Sequence, residues 1–349
     1  MTRPAISVLM AVHNGMHYLE ACLESVLSQG FGDFEFIVVD DASTDGTAAL
    51  LNAAARRDGR VKAMHNDANL GLTRSLNRGL GVAQGDYVAR IDADDLCRPG
   101  RLEVQIRAME RDPDLMILGS GYRIIDANGA PCGTVSVALD DARIRWLLGF
   151  SPPAFHPTYF FQRVGADGTA VQYDETFRTA QDYDLWSRLS RQGQSRVLAD
   201  VLIDYRRHAA GISVAQAGRQ AEDGRRVSLR NLSERLPEDL VDQLMPLIDL
   251  MTRRTEARGE AIRDAVRAMQ RLLGHDRDRF PDPADRRWMH RTAAGLLAFA
   301  VLTQGGAIRR PADAMRFLVY GWRFLPALTL AVAERPATVR KELARILGC

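Results

Sequence analysis

The chain has 349 residues, 46% hydrophobic and 26% charged, an ordinary globular composition sufficient for one large or two modest domains. Its net charge of +2 supplies no overall basic field, so no nucleic-acid partner is expected. The cysteines Cys22, Cys97, Cys132 and Cys349 stand far apart without a C-x-x-C pair, so neither a zinc site nor a disulfide framework is indicated, and a reducing, cytoplasmic compartment fits.

Ala5 to Val12 is an apolar run followed by His13-Asn14-Gly15, with no small-residue cleavage pattern. It reads as the first buried strand of a parallel sheet, Ile6 to Ala11. Leu19, Cys22, Leu23, Val26 and Leu27 recur at helical spacing and predict an amphipathic helix ending near Gln29-Gly30. Phe36 to Val39 is a second strand, closed by Asp40-Asp41. Ser43-Thr44-Asp45 can cap a helix from Ala48 to Ala55. Arg60 to His65 reads as a third strand, and Leu72 to Val82 as a helix after the break at Gly71. Strands alternating with helices in this way predict right-handed parallel α/β connections.

Gly85-Asp86 turns into Tyr87-Val88-Ala89-Arg90-Ile91, an apolar run that ends in Asp92-Ala93-Asp94-Asp95. That pattern is a buried strand whose carboxyl end delivers acids to the edge of a sheet, where open α/β sheets bind ligands. Carboxylates this close resist joint ionisation unless a cation sits among them. Oxygen ligands suit magnesium or manganese, magnesium being held by one or two carboxylates plus substrate phosphates. The competing reading is an acidic turn that caps the helix starting near Pro99. No G-x-G-x-x-G follows the first strand, which removes the main support for a dinucleotide site.

From about Val214 the chain becomes rich in Arg, Ala, Leu and Glu with helical periodicity, which divides it into residues 1–213 and a helical region, 214–349. Ile262, Ala265, Val266, Met269, Leu272 and Leu273 form one apolar stripe, and Ala284 to Thr303 reads as a helix. Thr292 to Ile308 is the longest uncharged run and falls short of the ~18 residues of a spanning helix, so no transmembrane segment is expected. Residues 309–349 carry eight Lys or Arg against three Asp or Glu, with Phe317, Tyr320, Trp322 and Phe324 interleaved. Such a segment suits peripheral contact with an anionic membrane; the alternative is a helical bundle packed on the rest of the chain.

Several blocks together carry a resemblance. Val8 to Asn14, Val39-Asp40-Asp41-Ala42-Ser43-Thr44-Asp45-Gly46-Thr47, Asn69 to Asn77, Gly85-Asp86-Tyr87, Asp92-Ala93-Asp94-Asp95 and Pro99-Gly100-Arg101-Leu102 follow one another in order. His156-Pro157-Thr158, Gln181-Asp182-Tyr183-Asp184-Leu185-Trp186 and Tyr205-Arg206-Arg207-His208 continue the series. Over residues 5–213 the chain resembles a family 2 glycosyltransferase with the GT-A fold, a Rossmann-like mixed sheet flanked by helices. The resemblance implies a nucleotide-sugar donor, a UDP-sugar first among them, and a saccharide or lipid-linked saccharide acceptor. It also implies inversion at the anomeric carbon and a role in surface polysaccharide or glycoconjugate assembly.

The resemblance also assigns positions. Ala11, His13, Asp40, Asp41, Arg74 and Asp92 fall to nucleotide binding, with Asp41 reading the base and His13 where the family usually has a stacking Tyr. Asp94 with Asp92 matches the metal and diphosphate site. His208 is a candidate further ligand, against a purely structural histidine. Asp182 matches the catalytic base. The family usually has Glu before it; here Gln181 removes a negative neighbour, so Asp182 is expected to be less prone to a raised pKa. His156 and Trp186 are candidates for the acceptor side, against a satisfied turn and a core aromatic. Asp45 reads as a helix cap, and Asp184 as a solvent-facing acid near a helix start. Arg74 and Arg206 can pair with diphosphate, against the surface position usual for arginine. Two other classes compete: a metal-dependent phosphotransferase with Asp92 as nucleophile, and a non-catalytic sugar-nucleotide-binding scaffold. Leu96 stands where the phosphotransferase motif usually has Thr or Val, and retention of Asp182 counts against the scaffold.

Overall fold

A computed structural model describes residues 3–208, 217–252, 254 and 259–304. The chain divides into two compact units, Met1–Asp223 and Gly224–Cys349.

The first unit is built on one mixed sheet. Strand β1 (Ile6–Val12) and strand β2 (Phe34–Asp40) are buried at every residue, which is why they read as unbroken apolar runs rather than alternating ones. Helix α1 (Met16–Leu27) joins them and turns Leu19, Cys22, Leu23 and Val26 inward. Helix α2 (Thr47–Arg57), strand β3 (Val61–His65), helix α3 (Leu72–Val82) and strand β4 (Tyr87–Arg90) follow. These four strands lie in the order β3-β2-β1-β4 and are mutually parallel, so their carboxyl ends share one edge. His13, Asp41 and Asp92 all follow strand ends there. The N-cap of α2 is Gly46 rather than Asp45, which stands one residue earlier and accepts from Thr47 N at 2.9 Å.

Beyond β4 the sheet ceases to be parallel. The chain runs through β5 (Leu96–Cys97), α4 (Arg101–Arg111), β6 (Leu115–Ile125), β7 (Pro131–Val135), α5 (Asp141–Leu147), β8 (Phe160–Gln162), α6 (Gln181–Leu189) and β9 (Gln194–Arg206). Strand β8 sits antiparallel between β4 and β6, and β9 runs parallel to β6 and antiparallel to the short β5. Strand β9 thereby delivers Arg206 and His208 to the Asp92–Asp95 loop. The result is a GT-A-type mixed sheet flanked by helices.

Two polar devices hold β4 in place. Buried Glu35 accepts from Ser7 Oγ at 2.6 Å and from Gln84 N at 2.6 Å, and pairs with Lys62. Ser7 Oγ in turn accepts from Gly85 N at 2.9 Å. At the other end, the fully buried Arg101 guanidinium donates to Arg90 O at 2.7 Å and to Gln105 Oε1 at 2.9 Å. Gln105 Nε2 then reaches Thr158 O at 2.9 Å.

The second unit is helical. Helix α7 (Ala217–Ser233) leads into it, followed by α8 (Glu238–Met251), α9 (Gly259–His275) and α10 (Pro283–Gln304). Leu244, Leu247, Val266, Met269, Leu272 and Leu297 bury its core, and on α9 Ala265, Val266, Met269, Leu272 and Leu273 of the stripe read from the sequence are buried. Buried Asp276 meets Arg235 at 3.2 Å and Arg279 at 3.7 Å. Among the described residues no helix is long and apolar enough to cross a membrane. The basic segment 309–349 lies outside the described residues.

A Cβ at Gly85 would stand 2.4 Å from Ser7 N and 2.6 Å from Ile6 C, both backbone atoms that cannot swing aside. Gly85→Ala is therefore expected to destabilise the first unit by about 1–3 kcal/mol, the usual scale of overpacking, as read by denaturant unfolding. A wild-type midpoint would contradict this account of how β4 is seated.

Candidate active site

Asp92, Asp94 and Asp95 each offer an oxygen, and these oxygens lie within 4.8 Å of one another. The side chains of Asp92 and Asp94 are about one-third exposed, at 32% and 34%, whereas Asp95 is buried. Burial, together with repulsion among the three, pushes the carboxyls of Asp92 and Asp95 above their ordinary range. Asp95 Oδ1 accepts from Arg206 N at 2.8 Å, while its Oδ2 is buried without a hydrogen-bond partner. Crowded acids with an orphaned buried oxygen fit a divalent cation held by oxygen ligands. Sequence reading placed Asp92 and Asp94 in this role, with His208 as a candidate; the hydrogen bond from the end of β9 that brings Asp95 into the cluster is not visible in the motif.

The rest of the cluster comes from β9 and α1. His208 Nε2 stands 2.7 Å from Asp94 Oδ2. Arg206 Nε donates to Asp94 O at 2.9 Å, and its Nη1 reaches the carbonyls of Asp126 and Ala127 at 3.3 and 3.2 Å. The Arg206 guanidinium lies 4.6 Å from the centre of the Tyr18 ring, and Tyr18 also packs against His208 at 5.1 Å. Arg206 is thus a buried tie between β9, the acidic loop and α1. Tyr18 had no signal in the sequence beyond its place on α1. Arg74 is exposed on α3 and pairs with Glu175 at 3.1 Å.

The ends of β1 and β2 form a second locus. The Asp41 carboxylate is buried and accepts from Asn66 Nδ2 at 2.6 Å, Leu70 N at 2.8 Å and Gly71 N at 2.8 Å. Burial alone would raise its pKa; the bonds from Leu70, Asn66, Gly71 and Ser75 outweigh that and hold it below the usual range. Asp40 is buried as well, bonded to Ser43 N at 3.1 Å and His65 Nδ1 at 3.0 Å. Both acids therefore organise their own loops. His13 is exposed, its Nδ1 2.9 Å from Asp41 O. Asn14 Oδ1 accepts from Thr44 N at 2.8 Å, which turns its Nδ2 toward His13 Nε2 at 3.2 Å. A carbonyl acceptor on one side and an amide donor on the other fit a ring proton on Nδ1 with Nε2 accepting. Ala11 is buried in β1.

Asp182 begins helix α6 and is half-buried, its Oδ1 accepting from Tyr183 N at 2.8 Å. Its pKa is raised, chiefly by removal from water, a cause that the exchange of Glu for Gln at 181 does not touch. Asp184 is not solvent-facing. Its side chain is fully buried and pairs with Arg188 at 2.9 Å, one turn along the helix. Trp186, expected either on an acceptor or in the core, is in the core: it is 0% exposed and stacks on Tyr159 at 4.0 Å. His156, 8% exposed, bonds Tyr173 OH at 2.8 Å and packs edge-on to Trp186 at 5.8 Å. Burial, and then the charge of Arg90, push His156 well below the usual histidine range, so it is neutral.

Among the described residues, three other than glycine adopt positive φ: Asn14 at 52°, Ala42 at 55° and Ala180 at 53°. Each lies one or two residues from His13, Asp41 or Asp182. Backbone strain of this kind concentrates at functional sites.

With this geometry in view, comparison with known proteins is decisive on class. Residues 7–131 match the family model "Glycosyl transferase family 2". The putative glycosyltransferase EpsE of Bacillus subtilis (strain 168) is 35% identical over 193 residues, spanning 54% of this chain and 68% of that protein. The putative teichuronic acid biosynthesis glycosyltransferase TuaG of the same organism is 30% identical over 211 residues, spanning 58% and 79%. In fold, the chain is similar to S. aureus TarS 1–349 in complex with UDP-GlcNAc, with a TM-score of 0.57 at 18% identity over 91% of each chain. The chain belongs to glycosyltransferase family 2.

The Asp41 network predicts a pH signature. Its folded pKa lies below the unfolded value of about 3.9, so its stabilisation is complete above that value and is lost as pH falls through the folded pKa. Asp41→Ala strands the amides of Leu70 and Gly71 and is expected to cost roughly 1–3 kcal/mol at pH 7. Denaturant unfolding of both proteins across pH should show the gap narrowing in acid; a pH-independent gap would contradict the network's role.

Proposed function

We propose that the chain is an inverting, metal-assisted glycosyltransferase that moves a sugar from a UDP-sugar to a saccharide or lipid-linked saccharide hydroxyl. The observation that carries this reading is the pairing of an acidic cation-type cluster at the β4 edge with a half-buried carboxylate, Asp182, whose pKa is raised. The TarS structures with UDP and UDP-GlcNAc support a uridine diphosphate donor. The teichuronic acid relative supports a setting in surface polysaccharide assembly. The buried free thiols of Cys22 and Cys97 suit the reducing cytoplasm.

In this reading His13 offers its exposed ring to the base, on a loop held by Asp41. Asp94 and Asp92, with the buried Asp95 beside them, would hold a manganese or magnesium ion, which would supply positive charge to neutralise the diphosphate leaving group. His208 orients Asp94 through their 2.7 Å contact. Asp182 takes the proton from the acceptor hydroxyl as its oxygen bonds to the anomeric carbon and the bond to the diphosphate breaks. Removal from water raises its pKa, which makes the carboxylate a stronger base for that task.

Asp182→Asn is expected to bind UDP-sugar nearly normally and lose transfer by ~100-fold or more. Asp184→Asn breaks the pair with Arg188 and is expected to lower stability far more than turnover. Donor binding, thermal unfolding and acceptor-dependent turnover separate the two. An active Asp182→Asn would remove the base assignment.

Asp94→Ala is expected to abolish the manganese-dependent part of UDP binding while the fold survives, as calorimetry with and without the metal would show. Unchanged metal-dependent affinity would remove Asp94 from the site.

A further inference from the structure

Arg90 lies on the last residue of β4, two before Asp92, and is 0% exposed. It forms an ion pair with Asp92 Oδ1. Its Nε and Nη2 are buried with no hydrogen-bond partner among the described residues. A buried guanidinium with unmet donors is costly, and an apolar side chain of similar volume would serve stability as well or better. Its retention therefore calls for a role other than holding the fold.

Its surroundings point to that role. The Arg90 backbone is fixed on both sides: its N–H donates to Tyr159 O at 3.0 Å, and its carbonyl accepts from Arg101 Nη2 at 2.7 Å. Tyr159 stacks at 4.0 Å on Trp186, which is borne by α6, the helix that begins with Gln181-Asp182. The cation and the Asp182 helix are thus tied to the same tyrosine. Asp92, Asp94 and Asp95 follow Arg90 on the loop after β4, and His156 packs edge-on to Trp186 at 5.8 Å. His156 and the phenol of Tyr173 add no positive charge, so Arg90 is the counter-charge buried on the β4 side of these acids.

We infer that Arg90 is a positioning residue for the transfer reaction, an internal cation that fixes the Asp92 carboxylate by one oxygen and is tied through Tyr159 to the helix that carries Asp182. This rests on the proposed function above and deepens it: the family motif names the acids, whereas the geometry names what holds them. By occupying Oδ1, Arg90 leaves Oδ2 of Asp92 for a ligand and prevents the acid from rotating toward Asp94. Groups that orient metal-binding carboxylates from behind act through geometry, and their loss is felt in affinity before stability.

The test is a double-mutant cycle on the full chain. Manganese-dependent UDP affinity is measured by calorimetry for wild type, Arg90→Met, Asp92→Asn and the double variant, with UDP affinity in the absence of metal as the control. Arg90→Met should weaken the metal-dependent affinity by roughly 10–100-fold, the usual cost of losing such a partner, and leave the metal-free affinity unchanged. In the Asp92→Asn background the same substitution should have little further effect. Arg90→Lys, which keeps the charge, should restore part of the affinity, and with an acceptor its kcat should fall more than its KM rises. If Arg90→Met does not fold, Arg90→Lys and Asp92→Asn carry the test by the same measurements. Strictly additive losses, an equal loss without metal, or wild-type binding in Arg90→Met each overturn the inference while the proposed function stands. Wild-type protein that binds no UDP in manganese overturns both.

Discussion

Three carboxylates within 4.8 Å of one another repel, and the neighbouring chain is arranged around that repulsion. Like charges ~4 Å apart cost about 4 kcal/mol at the effective dielectric of a protein surface. Each acid is met by a different segment. Arg90 reaches Asp92 from β4, His208 reaches Asp94 from beyond β9, and the Arg206 amide reaches Asp95 from the end of β9. None of these partners cancels the crowding, since the Asp92 and Asp95 carboxyls remain raised above their ordinary range. What remains is a standing demand for positive charge at the edge of the sheet, the property a site for a cation and a diphosphate requires.

The sheet explains why these segments meet. Strands β1, β2 and β4 are parallel neighbours and bring His13, Asp41 and Asp92 to one edge. The antiparallel insertion of β8 beside β4 carries Tyr159 to Arg90, and the Tyr159–Trp186 stack then seats the helix of Asp182. Helix α3 steadies the approach to that helix: Thr73 Oγ1 donates to Phe177 O at 2.8 Å and Asn77 Nδ2 to Tyr173 O at 2.9 Å. The proposed base is therefore placed by packing and backbone bonds, while the acids opposite are placed by charge.

The sequence made the first half of this legible. Buried parallel strands write themselves as unbroken apolar runs, and helices α1 to α3 carry inward stripes bounded by Gly and Asp, so their limits were readable to within a few residues. The pairing of β6 with β9 was not, because it joins segments about eighty residues apart through several register shifts that leave no periodic trace. The same holds within the site. The motif exposes Asp92, Asp94 and Asp182, but Arg90 reads as one polar letter in an apolar strand, and only the fold reveals that its charge is buried against Asp92. Asp184 misled because its burial and its pairing with Arg188 are properties of packing rather than of composition. Trp186 was ambiguous for the same reason.

The central claim is a single displacement in which Asp182 activates the acceptor on the face opposite the leaving diphosphate. Proton NMR of the sugar first released from an α-linked UDP-sugar, with manganese present and water or an oligosaccharide as acceptor, reads that stereochemistry directly. The account predicts a β-configured product. An α-configured product, formed before mutarotation, would contradict it.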